Sequence, residues 1–193
     1  MFTLESRSHR RMPWKNGGGT TTEIARSPES SSLEDFDWRI SMARVAASGS
    51  FSRFAGVDRS IALLEGDGIV LTIDGREAAR LDPRSTPFAF RGDADVFGLL
   101  VGGPIEDLNV MTRRGRFHQV LRRLDWTGSE TATLGFAGEM SFVVIGNGAA
   151  SVRHAGATYE LGARDVLCVE GTGTLDLSRD ERVDVLCVEL RRA

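Results

Sequence analysis

Apolar side chains in this chain fall in short runs, and turn-forming residues close each run. The runs occupy residues 38–45, 60–64, 69–73, 96–101, 141–145, 166–170 and 183–190. Between them stand Glu65-Gly66-Asp67-Gly68, Asp74-Gly75 and Gly146-Asn147-Gly148. Gly, Asn and Asp tolerate the positive φ of tight hairpin turns, so runs of this length with these boundaries predict antiparallel strands. The expected class is all-β. Residues 116–125 alone have a spacing that suits an amphipathic helix, and a strand fits them equally well. Residues 27–35, rich in Ser and Glu with one Pro, read as a surface loop.

A chain of 193 residues buries enough apolar surface to fold without staples, as one large domain or as two small ones sharing a core. Its net charge of -3 and pI near 5.7 leave no basic stripe for phosphate binding, so nucleic acid is not an expected partner. No apolar run approaches the roughly 20 residues that cross a bilayer. Met1-Phe2-Thr3-Leu4-Glu5 lacks the apolar core of a signal peptide, so the expected location is cytoplasmic, with no membrane partner. Cys168 and Cys187 sit in near-identical runs, Asp165-Val166-Leu167-Cys168-Val169-Glu170 and Asp184-Val185-Leu186-Cys187-Val188-Glu189. Both read as strand interiors and as reduced, buried thiols rather than a disulfide.

The chain repeats itself weakly. Leu63-Leu64-Glu65-Gly66-Asp67-Gly68 aligns with Val143-Val144-Ile145-Gly146-Asn147-Gly148, Gly146 standing 80 positions after Gly66. The same spacing pairs Leu81 with Leu161 but fails at residues 98–101, whose apolar match lies further on at 185–188. The first copy also resembles a cupin motif, in which two His precede a Glu and a Gly closes the strand seven positions after it. Counted back from Gly66, Arg59 stands in the place of the metal-binding Glu, and Arg53, Phe54 and Ala55 occupy the region of the two His.

A guanidinium has no lone pair for a metal. In the second copy Glu139 keeps the carboxylate, but residues 131–138 contain no His, and His9, His118 and His154 are scattered. The resemblance therefore implies a bicupin of two cupin-like β-barrel halves packed together, residues 1–107 and 108–193, with no metal and no cofactor. Replacing Glu by Arg reverses the sign of the cavity, which suits an anion unless Arg59 points outward or pairs with Asp58 or Glu65.

The most polar motif, Pro13-Trp14-Lys15-Asn16-Gly17-Gly18-Gly19-Thr20-Thr21-Thr22-Glu23-Ile24, holds the only Lys of the chain. Its three Gly allow close approach of a ligand or of another strand. It is not a phosphate loop, because Lys15 precedes the Gly run and the Thr run prefers a strand to a helix. A glycine loop at a sheet edge, with Thr in cross-strand pairs, is an equal reading.

Together with this motif, three further segments resemble the HutD/Ves family. They are Phe36-Asp37-Trp38-Arg39-Ile40-Ser41-Met42-Ala43-Arg44-Val45, Phe54-Ala55-Gly56-Val57-Asp58-Arg59, and Gly102-Gly103-Pro104-Ile105-Glu106-Asp107-Leu108-Asn109-Val110-Met111-Thr112-Arg113-Arg114-Gly115. Ala55 departs from the Pro typical of that family's turn. The resemblance implies a bicupin linked to histidine utilisation, and hence a small anionic metabolite as partner: formylglutamate, formiminoglutamate, urocanate or formate. Arg44, Arg59 and Arg113 are then candidates to hold a carboxylate bidentately, with Lys15 as a point charge. Asn16, Thr22, Ser41 and Asn109 are candidates to orient it, and Glu23 to neutralise a buried Arg. Alternation puts Trp38, Ile40, Met42 and Arg44 on one face and Arg39, Ser41 and Ala43 on the other, and either face can line the cavity.

Three readings follow from these residues. The first is a metal-independent binder with a regulatory or accessory role. The second is a cofactor-free enzyme acting on a small amide or carboxylic acid, with Glu23 as general base and Arg44 or Arg59 stabilising negative charge. The third is a structural protein with a vestigial pocket. Exposed sheet edges invite a homodimer, and a covered edge serves equally well.

Overall fold

The computed structural model describes residues 1–14, 17–124, 126, 131–179 and 181–193. The described residues form strands throughout, with a single 3-10 turn at Ser6–Ser8. The early strands are β1 (Phe2–Leu4), β2 (Arg10–Pro13), β3 (Gly19–Ser27), β4 (Trp38–Val45), β5 (Gly49–Ser50) and β6 (Val57–Glu65). Next come β7 (Ile69–Ile73), β8 (Arg76–Leu81), β9 (Phe88–Arg91), β10 (Val96–Leu100), β11 (Ile105–Arg113) and β12 (Phe117–Arg123). The last are β13 (Thr131–Phe136), β14 (Met140–Asn147), β15 (Ala150–His154), β16 (Ala157–Leu161), β17 (Val166–Glu170), β18 (Gly173–Ser178) and β19 (Asp184–Arg192). The segment open to helix or strand, 116–125, forms β12 over Phe117–Arg123, and Asp125 lies outside the described residues. Among the described residues no helix is long and apolar enough to cross a membrane.

The chain divides into two compact units, one of Arg10–His118 with Ala193, the other of Met1–His9 with Gln119–Arg192. The division falls within β12, whereas the boundary at 107/108 drawn from sequence runs through the middle of β11. In the Arg10–His118 unit the larger sheet has the order β2-β3-β4-β11-β6-β9 and the smaller one β5-β10-β7-β8. Val45, Ile61, Leu63 and Ile105 of the larger sheet pack with Ile69, Leu71, Leu81 and Val96 of the smaller. Burial of each such side chain contributes about 1.5–3 kcal/mol. The other unit has sheets β1-β17-β14-β19-β12 and β13-β18-β15-β16, with Val143, Ile145, Leu167 and Cys187 packed against Val152, Leu161, Leu175 and Leu177.

Without the N-terminal strands β1, β2 and β3, the two units share one plan. Strands β4 to β11 and β12 to β19 have the same order in both sheets, each label shifted by eight. Leu63 lies opposite Asp107, and Val143 lies opposite Cys187, so the spacing of 80 holds from β6 to β14 and from β11 to β19. The run at 185–188 is therefore the counterpart of 105–108, not of 98–101. Strand β10 corresponds instead to β18, where Leu175 and Leu177 alternate with exposed polar residues and conceal the match.

The all-β class holds, and the two halves expected from sequence as cupin-like β-barrels are each a pair of sheets that do not close into a barrel. Every sheet ends on an edge strand. Successive strands leave one sheet for the other, as β8 to β9 does through residues 82–87, and side-chain packing rather than a hydrogen-bond ladder joins the two layers.

Both cysteines are free and buried. Cys168 lies opposite Phe142 and Cys187 opposite Val143, and adjacent residues of a strand point to opposite faces, so the thiols stand on opposite sides of one sheet. Burial pushes them up to about 11 and about 12 respectively, which keeps both protonated at neutral pH.

Gly66 has a φ of +103°, and a Cβ there would stand 2.8 Å from the Pro104 carbonyl oxygen and from Ile105 Cγ2. Gly75, with φ +78°, has nothing within 4 Å of such an atom. Gly66→Ala is expected to destabilise the protein by about 2–4 kcal/mol and Gly75→Ala by about 1 kcal/mol, measured by urea denaturation.

Candidate functional site

Strand register decides which side chains enter the interior of the Arg10–His118 unit. Glu23 lies opposite Ser41, Ser41 opposite Asn109, and Asn109 opposite Ile61. Arg39, Met111 and Arg59 form a second row across β4, β11 and β6, and Ala43, Asp107 and Leu63 a third. Directly paired residues share a face, and this face carries the core residues Ile61 and Leu63. A bulge between Glu23 and Ala25 brings Arg26 opposite Arg39, so that Glu23 and Arg26, three residues apart, reach the same side.

The polar side chains on this face make two groups. In the first, Arg39 Nε donates to Glu23 Oε2 at 2.7 Å, and Arg26 Nε lies 3.6 Å from Glu23 Oε1. In the second, Arg59, 5% exposed, has its guanidinium carbon 5.0 Å from the ring centroid of Phe90, 5.3 Å from that of Phe51 and 5.6 Å from that of Phe54. Arg59 Nη1 donates to the Ser52 carbonyl at 3.1 Å, and Nε donates to Asn109 Oδ1 over a long 3.4 Å. These two bonds engage only part of a fork that carries five N–H groups. Burial pushes Arg59 down to about 10, Asp107 resisting and Arg39 assisting the fall, so it stays charged at neutral pH.

Asp107 is 1% exposed, and neither of its carboxyl oxygens has a hydrogen-bond partner in good geometry among the described residues. Burial pushes it up to about 7; the charge of Arg59 opposes the rise, Glu106 adds to it, and the Asn109 side chain gives weak assistance to the charged form. The two buried guanidinium groups, Arg39 and Arg59, thus share this interior with the carboxyl groups of Glu23 and Asp107, the latter poised to be neutral, while Arg26 stays partly exposed and also donates to the Glu29 carbonyl. A surplus of buried positive charge is costly unless an anion compensates it.

The duplicated plan provides an internal control. At the spacing of 80, Asp107 corresponds to Cys187, Asn109 to Glu189 and Arg59 to Glu139. Cys187 is 3% exposed in an apolar core, and the Glu139 side chain is 54% exposed and bonded to Arg192. The same strand plan therefore closes without a buried Arg and Asp, so that the polar interior of the Arg10–His118 unit is not a requirement of the scaffold.

Several residues marked by sequence lie elsewhere. The structure does not bring Arg44 or Thr22 to this cluster: Thr22 pairs with Met42, and exposed Arg44 with Glu106, both on the face opposite Ser41. Arg113 donates from Nε to the Phe36 carbonyl at 3.0 Å and from Nη2 to the Glu34 carbonyl at 2.6 Å, stacking over Phe36, and so clasps the loop before β4. Lys15 and Asn16 lie outside the described residues. Around them, Trp14 N donates to the Gly19 carbonyl at 2.9 Å and Trp14 Nε1 to Thr21 Oγ1 at 2.8 Å. A Cβ on Gly19 would stand 2.3 Å from the Arg44 carbonyl oxygen, so this Gly admits a neighbouring strand. Of the sequence candidates, Glu23, Ser41, Arg59 and Asn109 share the inner face, and Arg26, Arg39 and Asp107 join them.

The HutD family profile matches residues 6–187. The chain belongs to the HutD family. It is 37% identical over 175 residues to an uncharacterized 21.2 kDa protein in the hutC 3′ region of Pseudomonas putida, covering 89% of this chain and 88% of that one. It is 42% identical over 142 residues to protein Ves of Citrobacter koseri, covering 71% of each. The structure of HutD from Pseudomonas fluorescens SBW25, determined in a formate condition, superimposes with a TM-score of 0.83 at 35% identity, covering 100% of this chain and 98% of that one.

The fold alone is shared with the Escherichia coli pirin YhhW, solved with nickel(II), at a TM-score of 0.69 and 10% identity over 100% of this chain and 99% of that one. Among the described residues, no three His, Cys, Asp or Glu side chains gather, and the inner face presents guanidinium groups where a cation needs lone pairs.

Asp107 holds its proton more tightly in the folded chain than in the unfolded one, so the folded state binds more protons between pH 3.8 and about 7. Its contribution to stability is largest at low pH and is lost as pH rises through about 7. Between pH 5 and pH 8, urea denaturation is expected to show Asp107→Asn gaining about 2–3 kcal/mol relative to the parent chain. An unchanged difference would mean that Asp107 ionises as an ordinary carboxylate.

Proposed function

We propose that this HutD-family chain is a bicupin that binds a small carboxylate metabolite without a metal, in a regulatory or accessory role linked to histidine utilisation. The observation that carries the reading is Arg59, buried in the Arg10–His118 unit among Phe51, Phe54 and Phe90 with donors left over. An aromatic wall stabilises the guanidinium through its π faces and leaves the in-plane N–H groups for a planar, bidentate anion. The surplus of positive charge around Arg39 and Arg59 favours the same class of ligand. The metabolic link is supported by the Pseudomonas putida relative in the hutC 3′ region and by the HutD family itself.

Glu23 fits this reading better than it fits a general base. Its two carboxylate oxygens face Arg39 and Arg26, which suits a fixed counter-charge that holds the arginines in place. Proton abstraction would require it to give up both partners.

Thermal unfolding against formate, N-formylglutamate, formiminoglutamate and urocanate tests the proposal. A ligand at 100 times its Kd adds about 2.7 kcal/mol, which raises the melting temperature of a chain of this size by about 5–10 °C. At least one of the four is expected to do so, and Arg59→Ala is expected to lose the shift while still melting cooperatively. No shift with any of them would overturn the proposal.

A further inference from the structure

A carboxyl group in the interior of an anion site is at first sight the wrong group. Asp107 lies on the inner face beside Ile105 and Asn109, two residues along its strand on either side, and faces Ala43 on β4 and Leu63 on β6. Neither oxygen has a hydrogen bond in good geometry among the described residues, Asn109 assisting its charged form only weakly, and the scaffold does not demand it, since the equivalent position in the other unit is Cys187. The charged groups around it are few. Arg59, four residues along β6 from Leu63 and on the same face, attracts its charge; Arg39 on β4 is held by Glu23 on β3; and Glu106 on its own strand, which points to the opposite face, repels its charge. The smaller sheet presents Ile69, Leu71, Leu81 and Val96 to this core, all apolar.

We propose that Asp107 is a ligand-binding group of this site, which takes up a proton and donates it in a hydrogen bond to the ligand's carboxylate beside the Arg59 guanidinium. The inference rests on the carboxylate-binding reading and goes beyond it by coupling binding to protonation. With Asp107 charged, Arg59 already has a counter-ion, and an incoming carboxylate meets a like charge in a medium of low dielectric. With Asp107 neutral, the same group becomes a donor, the arginine is left to the ligand, and an O–H···O⁻ bond of the strong, charge-assisted kind forms. The ligand and one proton therefore enter together, the proton remaining on the Asp107 carboxyl. Burial already brings that group to about 7 before any anion arrives, and an anion beside it pushes it higher.

Calorimetric titration of the full chain with N-formylglutamate tests this, because that ligand's carboxylates stay ionised between pH 6 and pH 8. Affinity is expected to fall about tenfold from pH 6 to pH 8, since each pH unit above the value of the ligand-free carboxyl weakens proton-linked binding tenfold. At pH 8 the heat is expected to differ between buffers of different ionisation enthalpy by an amount that corresponds to nearly one proton taken up. Asp107→Asn keeps a donor and is expected to bind with a flat pH profile and no proton exchange. Asp107→Cys, which installs the residue found in the other unit, is expected to bind at least tenfold more weakly than the parent at pH 6.

Binding that is equally tight at pH 6 and pH 8 with no proton exchanged would overturn the inference and leave the carboxylate site standing. An unaltered pH profile in Asp107→Asn would do the same. Absence of binding at both pH values by N-formylglutamate and by formate, formiminoglutamate and urocanate alike would remove the site and the inference together.

Discussion

A guanidinium that is 5% exposed between two β-sheets has given up most of its hydration, and the surroundings must replace it. Around Arg59 the replacement is partial. Three phenyl rings shield it, one carbonyl and one distant amide oxygen accept from it, and a carboxyl that is itself starved of partners attracts it from β11. Apolar walls strengthen every charge interaction inside them, so the same burial that makes the cluster expensive makes it sensitive to an anion. The rest of the Arg10–His118 unit is arranged to tolerate this. Glu23 neutralises Arg39 next door, and the opposing sheet contributes only aliphatic packing.

The two copies of the eight-strand plan show how one scaffold supports two interiors. In the Gln119–Arg192 unit the row that contains Cys187 is continuous with an aliphatic core, and the neighbouring carboxylate, Glu189, is bonded to Arg122, Arg191 and the Ala137 amide. That carboxylate has found partners of the protein's own. In the Arg10–His118 unit Asp107 has not. Stability alone favours the first arrangement, because a buried polar group without a hydrogen bond costs free energy that a small apolar side chain does not. On the proposed carboxylate-binding function, the second arrangement is the cost of a binding site.

Much of the strand pattern was legible. Residues 38–45, 69–73 and 166–170 are strands with the bounds that the apolar runs define. Their flanking Gly and Asp residues left no alternative period. Strands such as β16, where Leu161 is the one buried side chain, carry too few apolar residues to be seen. In the site, Arg59 was found by counting from Gly66, and Ser41 and Asn109 by family likeness, but Asp107 was passed over although it stands two residues before Asn109. An acidic residue in an apolar strand reads as an exposed position until the opposite residues are known. Arg113 was misplaced for a related reason: its partners are the carbonyls of Glu34 and Phe36, nearly eighty residues away, and nothing local announces them.

The sequence by itself determined that the chain is built of antiparallel strands, that it repeats at a spacing of 80, and that an Arg stands where a cupin motif has a metal ligand. These are local properties, set by period-two alternation, by residues that accept positive φ, and by counting along one strand. Alternation also separated Arg39 and Ser41 from Met42 and Arg44, but it is symmetric between the two faces of a sheet. Only the tertiary structure broke that symmetry. Pairing across β3, β4, β11 and β6 turned one face toward the opposing sheet, and it is this register that put Arg39, Arg59 and Asp107 into a common interior and left Arg44 outside.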